Sequence, residues 1–101
     1  MKYQKIYDIL RRYPEIHIHD HSGTQYYPLW IVAELPCNGL RAWITHDYRK
    51  YGISTANAGL DCSTREYSES FQHFEFFRQR DLVEKLQQLI SRGKDTAHAA
   101  A

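Results

Sequence analysis

Three imidazoles crowd one short stretch of the chain, Ile16-His17-Ile18-His19-Asp20-His21. At i, i+2 and i+4 of an extended segment they share one face, roughly 6.5–7 Å apart at each step. Adjacent members can chelate a transition metal through bonds of about 2.0–2.1 Å, but one straight strand brings all three to a single ion with difficulty. A metal-dependent enzyme centred on His17, His19 and His21 would also need ligands from distant segments. The simpler reading is three exposed imidazoles on the solvent side of an edge strand.

Nucleophile chemistry has thinner support. Cys37 falls in a turn beside Asn38-Gly39 and Cys62 in a polar loop. Neither belongs to a Cys-x-x-Cys pair, so two ordinary reduced thiols are expected. The five glycines are scattered, which excludes a glycine-rich phosphate loop. No cofactor is implied.

The third constellation mixes aromatic and basic side chains: Trp30, Arg41, Trp43, Tyr48, Arg49, Lys50 and Tyr51. Tyr, Trp and Arg dominate the energetics of protein interfaces. The same types stack on and neutralise single-stranded nucleic acid. Formal net charge is +1 and no basic block stands out, which sets a protein partner ahead of nucleic acid.

The elements that must position these residues follow from periodicity. Tyr3, Ile6, Tyr7, Leu10 and Tyr13 recur on one face of a 3.6-residue period, so Lys2 to Arg12 reads as a helix, ended by Pro14. Ile16 and Ile18 alternate with the histidines, as in a strand from Glu15 to His21. Two β-branched and aromatic runs, Tyr26–Leu35 and Leu40–Asp47, flank Pro36-Cys37-Asn38-Gly39 and form a hairpin. One face of it carries Tyr27, Leu29, Ile31, Ala33, Leu35, Leu40, Ala42 and Ile44. The other carries Trp30, Arg41 and Trp43, with the two tryptophans set to pair across strands.

Residues 48–63 read as a loop with a short strand near Ile53–Ala56, and loops of that length are often functional. Residues 65–77 read as a long strand, with a helix capped by Ser63-x-x-Glu66 as the competing assignment. Asp81 caps a final helix whose buried stripe is Leu82, Leu86, Leu89 and Ile90. Gly93 ends it, leaving 94–101 as a flexible tail beyond a single domain of residues 1–93.

The 101 residues suffice for one hydrophobic core. The expected fold is α+β: an antiparallel sheet of four to five strands, with the N- and C-terminal helices packed on one face. The N-terminus has no apolar signal core and no run approaches membrane-spanning length, so a cytoplasmic protein with no membrane partner is expected. The expected function is a small non-enzymatic protein-binding domain, a regulator, inhibitor or adaptor. It would act through the open sheet face and the 48–63 loop, on another protein or on itself as a homodimer. The alternatives are a nucleic-acid-binding accessory protein and the metal-dependent enzyme above.

Overall fold

The computed structural model describes residues 2–36, 39–61 and 63–100, with side chains through Ser91. Cys37, Asn38 and Cys62, and with them the expected reduced thiols and turn residue, lie outside the described residues. The chain runs α1 (Gln4–Arg11), β1 (His17–Asp20), β2 (Leu29–Leu35), β3 (Leu40–His46), β4 (Tyr51–Asn57), α2 (Arg65–Ser70), β5 (Gln72–Phe76) and α3 (Gln79–Ala100). The five strands form one antiparallel sheet in sequence order. The fold is α+β, as the periodicities require.

Strict alternation builds the core. In β2, Leu29, Ile31, Ala33 and Leu35 are buried, and they stand opposite His46, Ile44, Ala42 and Leu40 of β3. The next strand continues the layer, with Ile53 opposite Ile44. Both long helices cover this face. α1 supplies Ile6, Ile9 and Leu10, and α3 supplies Leu82, Leu86, Leu89 and Ile90. Full burial of each such aliphatic side chain contributes about 1.5–3 kcal/mol. Ile9 widens the stripe read from the sequence, because α1 is wedged against α3 as well as the sheet. Tyr27 departs from its expected core position and is 38% exposed, since β2 begins two residues later.

The short strand expected near Ile53–Ala56 within 48–63 is present and longer than expected, Tyr51–Asn57. This strand, β4, pairs with β3 on one side and β5 on the other. Small residues make its full length hard to read: Gly52, Ser54 and Ala56 alternate with Tyr51, Ile53 and Thr55. The long strand expected over 65–77 divides into α2 and β5. The Thr64 hydroxyl caps α2 by accepting the Tyr67 N–H at 3.2 Å. The Ser70 hydroxyl donates to the Tyr67 carbonyl at 2.7 Å and accepts the Asn57 N–H at 3.1 Å, which ties the helix to β4. The cap is therefore Thr64, one residue after the expected Ser63.

The last helix begins at Gln79, so Asp81 lies in its first turn, where a carboxylate complements the helix dipole. Its backbone continues through Gly93 to Ala100, so Gly93 is not its terminator. Among the described residues no helix is long and apolar enough to cross a membrane.

Candidate binding face

The pleat that buries Ile31 and Ile44 turns their neighbours to the opposite side, which α1 and α3 leave open. Cross-strand registers arrange that side in rows. One row runs His17, Glu34, Arg41 and Ala56. The next runs His19, Val32, Trp43, Ser54 and His73. A third runs Trp30, Thr45, Gly52 and Glu75.

The two halves of this face differ. At the end bearing Arg41, the guanidinium donates to the Glu34 carboxylate at 3.0 Å, directly across the strands. Ala56 faces the open side yet is fully buried, where α2 packs against β4. Trp43 is half-buried, with the Phe71 ring 6.2 Å away. The two tryptophans share the face but do not stand opposite each other, because the register sets Trp43 against Val32 and Trp30 against Thr45.

At the other end the aromatics are exposed. Trp30 has the Tyr27 ring at 5.4 Å and the His21 ring at 6.0 Å, both edge-on. Tyr26 and Tyr48 are 71% and 66% exposed. The Tyr48 hydroxyl donates to the Gln25 carbonyl at 3.2 Å, so the β1–β2 connection and the β3–β4 turn form one continuous surface. That turn is held by Asp47, whose carboxylate accepts the N–H groups of Arg49 and Lys50 at 3.1 and 2.9 Å. Those bonds favour the charged form and hold the Asp47 carboxyl below its usual range. The β1–β2 connection is fixed in the same manner. Ser22 Oγ accepts the Trp30 N–H at 2.9 Å, and Thr24 Oγ1 accepts the Tyr27 N–H at 3.0 Å.

Of the residues singled out in the sequence, Trp30, Arg41, Trp43, Tyr48 and Arg49 lie on or beside this open face. Tyr51 does not. It is buried on the core face, stacked on His46 with centroids 4.0 Å apart. The Tyr3 hydroxyl completes that cluster, 2.7 Å from His46 Nδ1. Burial, aided by nearby Lys2, holds His46 below the usual histidine range. Strand parity with Ala42 and Ile44 already marks His46 as a core-facing residue.

His17 and His19 are exposed side by side on β1, and His21 lies past the strand end against Trp30. No group of three or more metal-ligating side chains among the described residues is placed to hold an ion.

One line of groups escaped the sequence reading. Ser54 Oγ lies 2.6 Å from His73 Nδ1, His73 Nε2 lies 3.2 Å from Glu75 Oε1, and Lys50 Nζ donates to Glu75 Oε2 at 3.1 Å. The hydrogen bonds from Lys50 and His73 hold the Glu75 carboxyl below its usual range. The order of types resembles a hydroxyl nucleophile, its base and an orienting carboxylate. Acyl transfer also requires donors aimed at a developing oxyanion. Ser54 stands mid-strand between β3 and β5, where the surrounding backbone N–H groups serve the two ladders. The line is a surface polar network that fixes His73 and Glu75 on β5. Comparison with protein-family models, curated proteins and solved structures returns no match.

Proposed function

We propose that the chain is a small non-enzymatic protein-binding domain, a regulator, inhibitor or adaptor, that engages its partner through the aromatic end of the open face. The observation that carries this reading is the exposed cluster Tyr26, Tyr27, Trp30 and Tyr48, built on two hydrogen-bonded connections rather than on loose chain. Rigid aromatics on a fixed surface lose little entropy on binding and bury large areas. Charge favours protein over nucleic acid: of the basic residues on or beside this face, Arg41 and Lys50 are already paired with Glu34 and Glu75. Phosphate binding draws on unpaired cations.

The test compares the full chain with a Tyr26→Ser, Trp30→Ser, Tyr48→Ser variant, each immobilised and exposed to extract of its native cells with and without nuclease treatment. The expected result is a protein retained by the wild type at raised salt and lost by the variant. Equal capture by both chains overturns the reading. Material that disappears with nuclease and weakens steeply with salt replaces it with the nucleic-acid alternative.

A further inference from the structure

The sheet has two edges, and β5 is one of them: among the described residues only β4 pairs with it. An edge strand presents alternate N–H and C=O groups to whatever lies alongside. Proteins usually blunt such edges with Lys, Pro or a bulge. Gln72–Phe76 contains neither residue, and its register with β4 is unbroken over the whole strand. Phe71 and Phe77 flank it, 48% and 78% exposed.

The segment is also self-complementary. In Phe71-Gln72-His73-Phe74-Glu75-Phe76-Phe77, the open-side residues equidistant from Phe74 are identical or complementary, Phe71 with Phe77 and His73 with Glu75, whereas Gln72 falls opposite Phe76 on the core-facing side. The matched residues lie on the open side of the sheet, where Phe71 meets Trp43, His73 meets Ser54, and Phe77 lies beneath the Lys50 ammonium.

We propose that the chain forms a homodimer by antiparallel pairing of β5 with β5 of a second copy, about a two-fold axis at Phe74. Pairing in this register sets His73 opposite Glu75 of the partner subunit, and Phe71 opposite Phe77 of the partner subunit. Two-fold symmetry repeats each contact. Four imidazole and carboxylate groups then alternate around the axis, so that no like pair is directly opposed. The exposed phenylalanines become buried at both ends of the junction. β1 lacks this property: self-pairing about Ile18 would set His17 against His19, like against like. The dimer joins two sheets into one whose open faces run on continuously. It uses a surface distinct from the aromatic end proposed above.

Sedimentation equilibrium of the full chain over a wide concentration range tests this, with thermal melting to show that each variant is folded. The expected mass rises from 12.0 kDa toward twice that value. Glu75→Lys weakens association about tenfold by opposing like-charged or unmatched groups twice. The double variant His73→Glu, Glu75→Lys restores the opposite-charge pairing and most of the affinity. Phe77→Ser, a change at an exposed position, weakens association on the order of tenfold through lost apolar burial. Trp30→Ser leaves it unchanged. A 12.0 kDa species at every concentration overturns the proposal. So does a dimer that survives both Glu75→Lys and Phe77→Ser intact.

Discussion

Ile44 and Thr45 are neighbours in β3, yet they belong to different regions of the molecule. Ile44 lies between Ile31 and Ile53 and is fully buried under the helices, whereas Thr45 lies between Trp30 and Gly52 on the open side. The core face is largely aliphatic, with the Tyr3–His46–Tyr51 cluster, Thr55, Phe74 and Phe76 toward its β4–β5 side. The open face is made of paired charges, imidazoles and aromatics. Folding energy is concentrated on the first face, so side chains on the second are free to meet other demands. The strongest way to break this comparison is to truncate one residue on each side. Ile44→Ala is expected to lower unfolding free energy by about 3 kcal/mol, and Thr45→Ala by less than about 0.5 kcal/mol. Urea denaturation of the two variants decides it; equal losses would mean that the open face is part of the folding core.

The histidines sharpen the same contrast. His46→Ala removes the hydrogen-bond partner of the buried Tyr3 hydroxyl and leaves a gap beside Tyr51, and should destabilise by about 2 kcal/mol. His73→Ala, on the half-exposed side, should change stability by less than about 0.5 kcal/mol. His46 carries a pH signature as well. Its folded pKa lies below the unfolded value near 6.5, so the unfolded chain takes up the proton first. The contribution is complete above that value and is lost as pH falls from it toward the folded pKa. Melting curves should show wild-type stability declining over that window, with a smaller decline in His46→Ala. An unchanged slope would assign the acid sensitivity to other groups.

Gly52 tests how tightly the open face is assembled. A Cβ there would lie 3.0 Å from Thr45 Oγ1 and 3.4 Å from His73 Cε1. Glycine lets the His73 ring settle over the sheet between Ser54 and Glu75. Gly52→Ala should destabilise by about 1 kcal/mol in the wild type through overpacking. In a Thr45→Ala background the nearest clash is gone, and the substitution should become neutral or stabilising by up to about 0.5 kcal/mol, because alanine loses less backbone entropy. A double-mutant cycle with additive values would show that the contact is not constraining.

Much of the fold is legible because burial writes itself into periodicity. Ile31 and Ala33, Ala42 and Ile44, and Leu82, Leu86 and Leu89 repeat at strand or helix spacing wherever one face meets the core. β4 shows this signal only in part: its middle, Ile53–Ala56, reads as a short strand, but small residues hide its full length and α2 buries Ala56 from the outer side. α2 escapes it, because its cap and its tie to Asn57 depend on tertiary placement. Parity alone separates Trp30, Arg41 and Trp43 from the core. It says nothing about register, so the Arg41–Glu34 pair and the Ser54–His73–Glu75 line have no local signature. The symmetry around Phe74 is present in the sequence but gains meaning only once β5 is known to be an edge.

The smallest effect is expected at Tyr48, and it asks whether the aromatic end serves folding at all. Tyr48 has φ of 78°, in the left-handed region where a non-glycine residue is disfavoured. Its ring is mostly exposed, and its hydroxyl makes one surface hydrogen bond, to Gln25. Asparagine tolerates that backbone better than tyrosine does, which offsets the lost hydrogen bond. Tyr48→Asn should therefore alter unfolding free energy by less than about 0.5 kcal/mol, while reducing capture of the partner protein by the immobilised chain. A loss above about 1 kcal/mol would make the ring a structural strut across the two connections. Near-neutral stability with reduced capture would mean that a bulky aromatic is held in an unfavourable backbone position for what it touches outside the molecule.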